Sequence, residues 1–180
     1  MGGDQAKTEI TQLVLDYHQE IYRYAYRLCG SVADAEDLTQ MVFLTAQEKL
    51  GQLRDVEKAR GWLYAILRSL FLKQCRKRRP LAAATIEIDL DGLAGPVSDA
   101  TEFDQEQLQN ALAELPEMHR IVLVMFYFEE CSYQDIARRL ELPMGTVMSR
   151  LARAKARLRD LLSPPERAEA APSRPTARQR

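Results

Sequence analysis

The chain has 180 residues, 46% of them hydrophobic, which is enough for one ordinary domain or two small ones with cores of their own. Three cysteines without a Cys-x-x-Cys pair, two isolated histidines, no Gly-rich phosphate loop and no apolar run near the ~20 residues of a bilayer span argue against a disulfide scaffold, a metal centre, a nucleotide-binding enzyme and a membrane protein. The formal net charge of -1 hides a segregation: residues 81–117 carry nine acids and no Lys or Arg, whereas residues 60–80 carry seven cations and no acid.

In chain order, residues 9–29 place Ile10, Leu13, Ile21, Tyr24 and Leu28 at helical spacing, and Gly30 supplies a natural stop. A second helix is expected from about residues 31–34 to residue 50, with Asp34, Glu36 and Asp37 at the positive end of its dipole and Leu38, Val42 and Ala46 inward. Residues 51–58 read as a polar loop. A third helix, residues 60–79, is closed by Pro80. There Arg60, Arg68, Lys73, Arg76 and Arg79 interleave with Trp62, Tyr64 and Phe71, and aromatic platforms beside a cationic track are how proteins hold unstacked bases. Two plainer readings compete: Leu63, Ile66, Leu67 and Leu70 form a core stripe that packs Trp62, and the terminal cations suit a solvated helix end.

Residues 81–103 carry Gly92, Gly95, Pro96 and acids without a sustained period, as a linker does. Leu108, Leu112 and Leu115 restart a helix that Pro116 stops, and the apolar residues 117–128 are expected at the centre of a second bundle. Ser132 with Asp135 resembles a capping box that opens a short helix, and Pro143 fits the first turn of the next. Val147, Leu151, Ala154, Leu158 and Leu161 then form a seam, leaving Thr146, Ser149, Arg150, Arg153 and Arg157 outside. A helix-turn-helix with a bare cationic second helix suits the phosphates and base edges of a duplex; an amphipathic surface helix with solvated arginines is the competing reading. Residues 163–180 have no apolar face and are expected to be a disordered tail. The expected fold is all-α: two small helical bundles, residues 1–80 and 108–162, joined by an acidic linker at 81–107.

Four segments, DAEDLTQMVFLTA from Asp34, RGWLYAILRSLFLKQCRKRRP from Arg60, ALAELPEMHRIVLVMFYFEECSYQDIA from Ala111 and PMGTVMSRLARAKARL from Pro143, together resemble the extracytoplasmic-function group of bacterial sigma factors within the sigma-70 family. The resemblance covers about residues 9–162. It implies a non-enzymatic, cofactor-free cytoplasmic protein whose partners are RNA polymerase core (largest-subunit clamp and flap), promoter DNA in duplex and single-stranded form, and an anti-sigma factor. Asp37, Gln40 and Met41 fall on the family's core-binding positions. Arg60, Trp62, Arg68, Ser69, Lys73, Arg76 and Arg79 fall on the helix that captures the minus-ten element, and the loop at 51–58 helps form a pocket for a flipped base. Thr146, Ser149, Arg150, Arg153 and Arg157 fall on the minus-thirty-five reader, while the acidic linker suits a channel built for polyanion. Four positions depart from the family pattern: Met41 replaces an acid, Ser69 a frequent Asn, Met148 a Lys or Arg, and Ala152 an aromatic or His. A one-component helix-turn-helix regulator with a sensor bundle is the alternative, and the aromatic-basic third helix is the feature it leaves without a use.

Overall fold

A computed structural model describes residues 2–78 and 105–163; the expectations placed on Arg79, on linker residues 81–104 and on the tail beyond residue 163 lie outside the described residues. All regular elements among the described residues are helical. Helix α1 (Gly2–Cys29) ends where Gly30 adopts a φ of 75° and donates its N–H to the Tyr26 carbonyl at 2.9 Å. Helix α2 (Val32–Glu48) is capped by Ser31, whose hydroxyl accepts the Asp34 N–H at 3.3 Å. Leu38, Val42 and Ala46 point inward and are fully buried; a side chain such as Leu38 contributes about 1.5–3 kcal/mol by leaving water.

The polar loop contains two short 3-10 turns, Leu50–Gln52 and Val56–Lys58. Asp55 caps the second, accepting the Glu57 N–H at 3.0 Å and pairing with Lys58 at 3.0 Å. Those contacts, the Lys58 bond first, hold the Asp55 carboxyl below its ordinary range. Helix α3 (Ala59–Arg78) then packs across α1 and α2, burying Leu63, Ile66 and Leu67 as the stripe requires.

The second unit comprises α4 (Gln105–Ala113), α5 (Glu117–Tyr127), α6 (Tyr133–Leu140) and α7 (Met144–Leu162). Pro116 separates α4 from α5, and Ile121, Val122, Val124 and Met125 form the buried centre expected of this stretch. Ser132 accepts the Asp135 N–H at 3.1 Å and donates its hydroxyl to the Asp135 carboxylate at 2.6 Å, so the cap closes side chain to side chain. Pro143 occupies the N-cap of α7, not its first turn: with ψ at 141° it stays extended, and its carbonyl accepts the Thr146 N–H at 2.9 Å. Cys131 lies in the turn between α5 and α6, not within a helix; it alone of the three free thiols is buried.

The two units are packed together, a relation that hydrophobic spacing could not supply. Gly30 abuts α4, where a Cβ on it would lie 3.0 Å from the Ala113 Cβ. Gln109 donates to the Tyr26 carbonyl at 2.7 Å, and Arg120 donates to the Leu28 carbonyl at 2.5 Å. Phe128 packs against the edge-to-face pair of Tyr24 and Tyr64, with centroids 5.5 and 6.4 Å away, and Arg27 lies 5.0 Å over its ring. One continuous core therefore runs through both units.

Candidate nucleic-acid interface

On α2 the inward side chains leave Asp37, Gln40 and Met41 exposed on the opposite side, and Leu44, seven residues after Asp37, completes the row at 60% exposure. Leu44 was not singled out by periodicity, which marks a leucine as core; its neighbours Gln40, Phe43 and Gln47 line a shallow groove with Ile10 and Val14 of α1. The Met41 sulfur sits 3.9 Å from the Gln74 amide nitrogen, tying this face to α3. An exposed apolar pair, Met41 and Leu44, framed by one acid and one amide is suited to a protein partner.

Helix α3 divides the sequence-predicted minus-ten residues into two groups. Ser69, Lys73 and Arg76 recur near whole helical turns and are exposed on the side away from the core, whereas Trp62, at the start of that row, is half-buried and packs against the core, as the plainer reading of it expected. Tyr64 and Phe71, expected beside them as base platforms, are core residues at 3% and 5% exposure, because aromatic area is worth more inside than a stacking surface held open. Arg60 points another way: its Nε meets Glu20 at 2.5 Å and its guanidinium lies 5.4 Å over Tyr64.

Arg68 departs furthest from an exposed DNA contact. It is buried against the second unit, with Nη1 2.7 Å from both carboxylate oxygens of Glu129. The Tyr24 hydroxyl donates to the same carboxylate, and Arg139 Nη1 approaches it at 2.9 Å. Burial, the largest single influence, lowers the Arg68 guanidinium, but the charges and hydrogen bonds of Glu129 and Tyr24 together exceed it and the net shift is upward; Tyr24, desolvated first and facing Glu129 second, is held well above its ordinary value. Sequence reading missed Glu129. The signal available was an acid pair, Glu129 and Glu130, following an apolar helix directly; its partner Arg68 stands 61 residues away, beyond any local pattern.

The α7 seam of Val147, Leu151 and Ala154 is buried as expected. Its cationic residues are less bare than the pattern implied. Arg157 is exposed, but Thr146, Ser149, Arg150 and Arg153 are half-buried along the flank of the seam, and the Ser149 hydroxyl donates to the Thr146 carbonyl at 3.1 Å. Arg150 is pulled below its ordinary value by burial and then by Arg153, and its Nη1 is buried without a hydrogen-bond partner among the described residues. Met144 and Met148 are the large apolar side chains α7 exposes. Among the described residues no group of three His, Cys, Asp or Glu is placed to hold a metal, and no helix is long and apolar enough to cross a membrane.

A helical first unit with an exposed polar and apolar row on α2 and exposed cations on α3, followed by a helix-turn-helix, is the architecture of a DNA-binding transcription protein. Residues 13–80 match the model of Sigma-70 region 2, and residues 105–158 that of Sigma-70, region 4. The chain is 30% identical over 172 residues to the ECF RNA polymerase sigma factor SigW of Bacillus subtilis, covering 89% of this chain and 91% of that one. It is 34% identical over 167 residues to the ECF RNA polymerase sigma factor SigE of Mycolicibacterium smegmatis, where it spans 89% of this chain and 65% of the relative. Among solved structures, the sigma factor RpoE in complex with the anti-sigma factor NepR from Bartonella quintana matches with a TM-score of 0.63 and 27% identity, over 86% of this chain and 96% of that one. The chain belongs to the sigma-70 family, in its extracytoplasmic-function group. The region 2 match over the first unit displaces the reading of that unit as the sensor of a one-component regulator.

Proposed function

We propose that this sigma factor binds core polymerase through the α2 row of Asp37, Gln40, Met41 and Leu44 and holds the melted minus-ten strand on the solvent face of α3. On that face Trp62 keeps a partly exposed ring although it packs against the core, and Ser69, Lys73 and Arg76 follow it along one edge of the helix. This juxtaposition carries the reading: a ring to stack on and cations to follow a backbone are the two components of single-strand binding. Arg150, Arg153 and Arg157, with Thr146 and Ser149, make up the minus-thirty-five reader on α7. In this division residues 1–80 are sigma domain 2, 81–107 the linker, 108–162 sigma domain 4 and 163–180 the tail.

Its work is binding energy spent on recruitment and on holding bases out of the stack, which costs a few kcal/mol per base; no bond is made by the chain. The likeness to a sigma factor captured with its anti-sigma protein supports a similar cytoplasmic restraint here. Run-off transcription with core polymerase lacking a sigma factor tests the function. Asp37→Arg with Gln40→Ala is expected to fold, since both positions are exposed, and to lose several kcal/mol of core binding. Capture of core at wild-type strength by the folded double variant excludes the α2 assignment.

A further inference from the structure

With about 3.6 residues per turn, the side of α7 opposite its buried seam carries Gly145, Ser149, Ala152 and Ala156, spaced four, three and four residues apart. All are small, and a Cβ added at Gly145 would meet nothing within 4 Å, so this side is open and smooth. Its one side-chain polar group, the Ser149 hydroxyl, already donates to the Thr146 carbonyl at 3.1 Å. The two flanks of that side differ. One carries Thr146, Arg150, Arg153 and Arg157. The other carries Met144 and Met148, one turn apart and 54% and 49% exposed, and then Lys155. The Lys155 ammonium lies 4.7 Å over the Phe126 ring and 5.3 Å over that of Tyr127, so it is held by aromatic faces and does not carry the methionine flank on as a phosphate track.

The first turns of a recognition helix are the ones that meet base edges in the major groove. On the methionine flank those turns present a flexible, polarisable thioether in place of hydrogen-bond donors. The group on the major-groove edge suited to apolar contact is the 5-methyl of thymine. We propose that Met148, with Met144 one turn before it, reads thymine by that methyl, so that one flank of α7 selects bases by apolar contact while the other supplies the cations. This deepens the sigma-factor reading and rests on it, adding which base the duplex reader selects. A protein partner would cover the same methionine pair, but a smooth open side with arginines along its far edge is matched in charge and shape to a grooved polyanion.

The test uses the full chain bound to purified core polymerase. A duplex is selected from a pool randomised over the upstream element and resynthesised with deoxyuridine in place of thymine at single positions, which removes one methyl and leaves pairing, phosphates and hydrogen-bonding edges unchanged. Wild type should lose about fourfold in affinity at each thymine the methionines touch, the fold-change that corresponds to burial of one such group. Met148→Ala, expected to fold because the position is exposed, should bind the thymine duplex about as weakly as wild type binds the uracil one, and should be indifferent to the exchange. Arg153→Ala should weaken both duplexes alike. The proposal is overturned if no position distinguishes thymine from uracil in wild type, or if Met148→Ala and Met144→Ala both keep the wild-type ratio. Loss of core capture by Met148→Ala at an unchanged ratio also overturns it and assigns the pair to a protein partner. If wild type fails to capture core, the sigma-factor reading falls, and the same ratio measured with the chain alone decides the role of Met148.

Discussion

In α3 the exposed Lys73 and Arg76 lie across the helix from its core stripe, whereas in α7 Arg150 and Arg153 lie beside the buried seam and are half covered. The difference follows from how each helix is surrounded. Helix α3 packs across two neighbours and keeps a broad open face; α7 packs against α4, α5 and α6, so that even its charged flank is partly desolvated. A helix with an open face can accept a flexible single strand. A partly walled one offers fewer, more rigidly placed groups, which is what reading a duplex edge requires.

The comparison is broken most sharply inside α3 itself. Arg68→Ala removes one member of a buried pair and is expected to cost about 3–5 kcal/mol of the closed form, whereas Arg76→Ala, exposed and outside the core, should stay within about 0.5 kcal/mol. Hydrogen exchange at α5 and α6 and denaturant midpoints measure both; equal midpoints would show that the two arginines are not the different residues described here. Binding to a forked DNA should reverse the ranking, with the salt slope falling by about one for Arg76→Ala.

On α7, Arg153→Ala is expected to weaken upstream duplex binding by about 1–3 kcal/mol, provided it reaches a base edge. Footprinting of the upstream element at fixed salt checks this, and an unchanged footprint would shift recognition toward Met144 and Met148. The joint between the units is sharpened by Gly30→Ala. At a φ of 75° a Cβ costs about 1–2 kcal/mol, and it would also press on Ala113, so the loss should appear both in thermal unfolding and as a looser contact between α1 and α4.

The smallest effect is a pH dependence. His119, half-buried with Arg150 and Arg153 nearby, is held below its ordinary 6.5, by burial first and by those arginines second. Below about pH 7 the unfolded chain then binds more protons than the folded one, so stability should fall as pH drops through 6.5 toward the lower folded value. His119→Gln should flatten that slope without moving the plateau at neutral pH. A slope equal to wild type would place the titration elsewhere.

Periodicity and end signals found the helices though not every bound: α1 starts at Gly2, ahead of the expected residue 9, and Pro143 caps α7 from outside its first turn. Ser31 and Ser132 cap, Gly30 and Pro116 stop, and Leu38, Leu63 and Leu151 face inward, because these choices depend on neighbours within a turn or two of the same chain. The same local rule puts Asp37 and Gln40 outside, next to the inward Leu38 and Val42, whereas Met41 is marked by the family resemblance. The rule failed where the deciding neighbour is remote in sequence. Tyr64 and Phe71 carry the composition of a base platform yet fill a core, and Arg68 has the spacing of a cationic track yet faces a carboxylate from the other unit. An ion pair such as Arg68 with Glu129 can be buried only where the acceptor is held in place, and Glu129 is held by the turn that follows α5. The sequence by itself thus determined the helices of the described residues, their inward faces and the family they compose; only the tertiary structure decided that the two units close on each other, and with that which arginines stay in solvent.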